Sequence, residues 1–133
     1  MKKLRRKQVG RAVCTILQQL AMCVPVNVVY SWGVTNKVAT QIEVMADNTM
    51  QRMAALKMSV HGFNYQGKIY VALDEKQNNC RLYSVRNGKL KEERSAVEFH
   101  ELGNALDAII ETGGLSQQEH LRRLKEYAKQ LAV

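Results

Sequence analysis

Apolar and polar residues alternate through the middle of this chain and recur at helical spacing towards both ends. In residues 56–63, Leu56, Met58 and Val60 alternate with Lys57, Ser59 and His61. In residues 68–73, Ile69, Val71 and Leu73 alternate with Lys68, Tyr70 and Ala72. A period of two predicts half-buried strands. Asn64-Tyr65-Gln66-Gly67 marks the turn between them, and residues 74–79 form a polar loop before a further strand at 80–86. Asn87-Gly88 is the pair favoured by two-residue type I′ hairpins, so Arg86 faces Lys89 and Val85 faces Leu90. Directly opposed residues share a face. Val85, Tyr83 and Leu90 are therefore expected inward, with Leu82 and Ser84 outward. The strand at 89–94 is mostly charged, as suits a sheet edge. This leaves an outer face of Lys57, Ser59, His61, Lys68, Tyr70, Leu82 and Ser84, which the N-terminal elements are expected to cover in part.

On the N-terminal side, Val9, Val13, Ile16, Leu17 and Leu20 predict an amphipathic helix over residues 3–22, with Lys7, Arg11, Thr15 and Gln18 on another face. Pro25 helps to stop it. Residues 24–32 are rich in β-branched side chains and predict a strand, ending at Trp32 as an aromatic lid on the core. Residues 37–53 fit a strand through Val38, Thr40, Ile42 and Val44, or a helix through Val38, Ile42, Met45, Thr49 and Met53. Asp47-Asn48 is a break. Met45, Met50, Met53 and Met58 cluster here, most simply as core filler.

After the strands, Ser95-x-x-Glu98 has the form of a capping box, and Phe99, Leu102, Leu106, Ile109 and Ile110 form an apolar stripe that ends at Gly113-Gly114. Ser116-x-x-Glu119 opens a second helix, with Leu121, Leu124, Ala128 and Leu131 on one face. The fold class expected is α+β: an antiparallel sheet of three to five strands, an N-terminal helix and two C-terminal helices. A length of 133 residues suits a single domain.

Charge changes the picture at the ends. The chain carries a net charge of +8. Lys2, Lys3, Arg5, Arg6, Lys7 and Arg11 precede the first acid, Glu43, whereas between residues 12 and 115 basic and acidic residues cancel. The layout is a basic arm, residues 1–11, on a single domain, residues 12–133. Cations at a helix start oppose the macrodipole, so the first few are expected to fray.

The basic run followed by an apolar stretch has the outline of an export signal. Gln18 and Gln19 interrupt it, no small-residue cleavage site follows, and Met22 stands where the lipoprotein-box form of Leu20-Ala21-Met22-Cys23 needs a small residue. A cytoplasmic location is expected, with export or membrane anchoring through the N-terminal segment as the alternative. Cys14, Cys23 and Cys80 show no paired spacing and suit reduced thiols.

Catalytic chemistry finds little footing. His61, His100 and His120 fall in different elements, and His100-Glu101 fails the H-E-x-x-H zinc motif because Asn104 stands at its last position. A Cys80–His61 pair across the strands is the one nucleophile arrangement the sequence leaves open. No metal or cofactor motif is present, and the expectation is a protein that is not an enzyme.

The stretch AALKMSVHGFNYQGKIYVALDE, the preceding Tyr30-Ser31-Trp32-Gly33 and the helix at residues 99–111 resemble small proteins encoded by bacterial phages and mobile elements. Those proteins share an S-W-G turn, a V-x-G-F strand end, a G-K-[IV] strand start and a final amphipathic helix. The resemblance implies an α+β fold and a phage or mobile-element context. It implies no activity, and the basic extension and last helix lie outside it.

The charge layout points to a small basic accessory protein that associates with nucleic acid through Lys2, Lys3, Arg5, Arg6, Lys7 and Arg11, with Arg122 and Arg123. The order helix, strands, helix is similar to double-stranded-RNA-binding domains, but the helix after the sheet begins Val97-Glu98-Phe99 and lacks their lysine cluster. The alternative is a protein-interaction or inhibitor module that uses the last helix or the outer sheet face, through Lys57, His61, Tyr70 and Leu82.

Overall fold

The alternating stretches become five strands: β1 (Thr35–Ala46), β2 (Thr49–His61), β3 (Gln66–Asp74), β4 (Asn79–Arg86) and β5 (Lys89–Val97). They form one antiparallel sheet whose spatial order follows the chain. Before it come α1 (Arg6–Cys23) and the short α2 (Val26–Ser31). After it, a 3-10 turn (Phe99–Glu101), α3 (Leu102–Asp107) and a π turn (Ala108–Thr112) run on continuously. This computed structural model describes residues 4–112 except Pro25, with the backbone alone at positions 26, 27, 30 and 112, and also positions 122, 125, 126 and 128. The helix expected from Ser116 onward lies outside the described residues apart from those four positions.

The core sits between one face of the sheet and the helices. Val9, Ala12, Val13, Ile16 and Leu20 of α1 pack with Leu56, Met58 and Val60 of β2, Ile69 and Val71 of β3 and Leu82 of β4. Leu102, Leu106 and Ile110 close the other end, and all three are fully buried. Trp32 is 1% exposed, and its indole Nε1 donates to Asp107 Oδ1 at 2.9 Å. It therefore joins the core to α3, as a lid should.

The loop between β2 and β3 is held by that helix end. The Ile110 carbonyl accepts from the amides of Asn64 (2.8 Å) and Tyr65 (3.0 Å). The Asn64 side chain donates to the Ile109 carbonyl. The Tyr65 hydroxyl bonds to the Lys68 carbonyl and to both the amide and the carbonyl of Val85.

Several expectations are corrected. Residues 26–31 are helical, not a strand. Val28 and Val29 pack on the core and their carbonyls accept from the Trp32 amide, a spacing that a strand cannot supply. Tertiary packing here overrides β-branched propensity. Residues 37–53 are β1 and the start of β2. Asp47 and Asn48 adopt positive φ, 52° and 63°, which makes them a tight hairpin turn of the same kind as Asn87-Gly88. Ser95 belongs to β5 rather than to a capping box, and Glu98, which precedes the 3-10 turn, makes no side-chain cap. A bulge at Ala96, with φ 53°, turns Val97 into the core and carries the strand on.

The hairpin register at Asn87-Gly88 is as expected, with Arg86 opposite Lys89 and Val85 opposite Leu90. The face assignment is not. Leu82 pairs with Val71 and is fully buried under α1, while Tyr83 pairs with Tyr70 on the face away from the helices. Leu90 at the hairpin tip is 40% exposed, so it does not report which face is the core.

Candidate functional site

Two surfaces bring together residues singled out in the sequence. The first is the outward face of α1. Burial of Val9, Ala12, Val13, Ile16 and Leu20 leaves Lys7, Arg11, Cys14 and Gln18 exposed on the opposite side. Arg5 and Arg6 are also exposed, Arg5 as the extended residue just before the helix. The segment expected to be a loose arm thus enters the helix at Arg6. Lys2, Lys3 and Arg123 lie outside the described residues, and Arg122 is exposed.

The entry to α1 is anchored by a residue that no motif marks. The Gln41 amide binds both backbone groups of Leu4: Leu4 N donates to Oε1 at 2.9 Å, and Nε2 donates to the Leu4 carbonyl at 3.2 Å. Gln41 Oε1 also accepts from Arg52 Nε, and Arg52 is ion-paired with Glu43. This bridge holds the N-terminal cations beside β1. Nothing in the local sequence could have exposed it, because the partners are 37 positions apart.

Ion pairing separates the arginines of the sheet from those around the start of α1. Arg52, Arg81, Arg86 and Arg94 each meet a carboxylate: Glu43, Asp74 with Glu92, Glu93 and Glu101 respectively. Among the described residues no carboxylate meets Arg5, Arg6, Lys7 or Arg11. The first turn of α1 contains no acid, and its start has no side-chain cap.

The second surface is the outer sheet face. Ile42, Val44, Ala46, Met53, Ala55, Ala72 and Tyr83 form a smaller apolar cluster, edged by Tyr70, and every member comes from a strand. Lys57 lies opposite Tyr70 on this face, with exposed His61 at the end of β2. Leu82 is on the other side of the sheet and drops out of the expected set. At the far end of the face, Arg81 bridges Asp74 (3.3 Å) and Glu92 (3.0 Å). The buried Tyr83 hydroxyl has no hydrogen-bond partner in good geometry among the described residues. Desolvation, then the charge of Glu92, pushes its pKa up.

The nucleophile arrangement does not form. Cys80 pairs with Leu73 at one end of the sheet, and His61 pairs with Gln66 at the other. Seven steps along β3, about 23 Å, separate those positions. Burial, then the charge of Glu98, pushes the Cys80 thiol up to about 12. Cys80 is accordingly expected to stay silent to a thiol reagent near neutral pH until the chain unfolds, while exposed Cys14 and Cys23 react at once. Counting modified thiols in native and denatured protein checks this. The sign for stability follows from the raised value. The unfolded chain ionises this thiol near pH 9 and the folded chain only near 12, so the Cys80 contribution is lost as pH rises through that window.

An apolar groove of about 330 Å³ lies between α1, α2 and the first two strands, floored by Leu56 and Met58, with Lys37 at its lip. Among the described residues no cluster of His, Cys, Asp and Glu is arranged to hold a metal, and no helix is long and apolar enough to cross a membrane. In comparisons with known proteins, no family model matches the chain, no curated protein matches it and no solved structure matches it.

Proposed function

We propose that this is a small, non-enzymatic, basic accessory protein of the cytoplasm, of phage or mobile-element context, that associates with nucleic acid. Arg5, Arg6, Lys7 and Arg11 carry the contact, with Lys2 and Lys3 before them and Arg122 and Arg123 as further cations. The observation that supports this best is the division of the arginines. Arginines of the sheet are neutralised within the chain, whereas those around the start of α1 have no carboxylate among the described residues. Cations beside a helix N-terminus that lacks acids are mutually unfavourable. A polyanion relieves that repulsion, and backbone phosphates need no sequence-specific geometry to do so.

The test is substitution rather than truncation, because Val9 lies in the core and removal of residues 1–11 would damage the fold. Affinity for generic DNA and RNA should fall with added salt, each phosphate contact contributing about −0.9 to the log–log slope on B-DNA. The Arg5→Gln/Arg6→Gln/Lys7→Gln/Arg11→Gln variant should lose most of that slope while its circular dichroism is unchanged. Equal binding by variant and wild type would end this reading.

A second reading, a protein-interaction or inhibitor module, draws on the outer face, whose apolar cluster among the described residues comes from strands alone, with Lys57, His61 and Tyr70. Absence of nucleic-acid binding by the wild type moves the assignment there.

A further inference from the structure

The two edges of the sheet differ. β5 carries Lys89, Lys91, Glu92, Glu93 and Arg94 and is broken by two irregularities, features that discourage a further strand. β1 is 12 residues long, and Lys37 and Glu43 are its only charges. It is bonded to β2 on one side, and among the described residues no backbone hydrogen bond reaches its other side. Such a strand is a template for another.

We propose that β1 is the interface for a second copy of this chain, paired antiparallel edge to edge about a two-fold axis at Thr40. Side-chain parity and charge select that register. Self-pairing keeps the core faces of both copies on one side only if the paired residue numbers have an even sum. With the axis at Thr40, Lys37 stands opposite Glu43 of the second copy, and the reverse pair forms by symmetry. Both residues lie on the helix-bearing face, Lys37 beside Leu56 and Met58 and Glu43 against Arg52. Lys37 has no ion pair among the described residues of its own chain. Moving the axis by one residue places Lys37 opposite Gln41 or Met45 and leaves both charges unmatched.

The other face agrees. Val38, 50% exposed, comes opposite Ile42 of the second copy. The two strand-only apolar clusters then meet across the axis and form one band. The irregularity of β1 lies between Thr35 and Val38 and includes Lys37, so regular pairing runs inward from Val38 and the Lys37–Glu43 contact stands at its end. A two-fold axis normal to the sheet also puts both α1 helices, with their exposed cations, on the same side of a ten-stranded sheet.

Sedimentation velocity over a concentration series tests this. The wild type should pass from monomer to dimer. Lys37→Glu and Glu43→Lys should each weaken the dimer roughly tenfold or more, since two cross-strand attractions become repulsions. An equimolar mixture of the two variants should recover it, because the carboxylate introduced at position 37 then meets the ammonium introduced at position 43. Val38→Arg, which leaves the Arg52–Glu43 pair intact, should give a folded monomer. A wild type that stays monomeric at every concentration overturns the proposal. So does a dimer indifferent to these substitutions, or a mixture no tighter than either variant alone. Salt-dependent nucleic-acid binding by a monomer would persist in any of these cases, so the two readings fail separately.

Discussion

Gly62→Ala should lower the thermal midpoint by roughly 10 °C, from a loss of about 3 kcal/mol. The cause is contact, not backbone conformation. A methyl group at this position would fall within the van der Waals surface of the Ile110 side chain and of its carbonyl oxygen. Ile110 has nowhere to retreat. Its side chain is fully buried, and its carbonyl holds the amides of Asn64 and Tyr65. Yielding there would loosen the loop between β2 and β3 and the π turn after α3 together. Gly10→Ala provides the opposite sign. Nothing stands near the new methyl in α1, so the better helix former should stabilise by about 0.5–1 kcal/mol. Circular dichroism melts of the two variants, run side by side, measure both. A Gly62→Ala melt indistinguishable from wild type would mean that the loop does not embrace Ile110 in this way.

The second large effect separates the two faces of β4. Leu82→Ala should cost about 3 kcal/mol, because the side chain is fully buried opposite Val71 and beneath α1. Tyr83→Phe, one residue on, should change stability by less than about 1 kcal/mol. It removes a buried hydroxyl that makes no well-formed hydrogen bond among the described residues and lies near the Arg81 guanidinium, while keeping the ring against Ala72 and Tyr70. Urea unfolding curves give both values. Were Leu82 on the outer face, as its place in the hairpin alone suggested, Leu82→Ala would cost far less.

That contrast shows what the sequence could and could not tell. Local chemistry was legible. Alternation at residues 56–60 and 69–73 gives the correct core face of β2 and β3, and Asn87-Gly88 gives the correct pairing of β4 with β5. The face of β4 was not, because the sheet is apolar on both sides where Leu82 and Tyr83 stand. Only the pairing with β3 decides between them. Asp47-Asn48 was legible as a break but not as a hairpin turn, since asparagine and aspartate tolerate positive φ less openly than glycine. The strand expected at residues 24–32 failed for a different reason. Six residues of helix bring Trp32 to Asp107, a contact 75 positions long that no local window contains. The cationic residues of the candidate site were evident from charge alone. The amide of Gln41 that fixes their position was not, for the same reason of distance.

The order of the strands also bears on how the chain is made. Each sheet pairing joins neighbours in sequence, so hairpins can close in turn as the chain emerges. α1 has no such local partner. Its apolar stripe packs against β2, β3 and Leu82 of β4, so it leaves the ribosome well before its seat exists. At synthesis rates of about 5–20 residues per second, that interval lasts seconds. During it Val9, Val13, Ile16 and Leu20 face water on a nascent chain. Arg5, Arg6, Lys7 and Arg11 flank the stripe throughout, as gatekeeper charges against premature association. The cations that mark the surface of the finished molecule thus also protect the unfinished one.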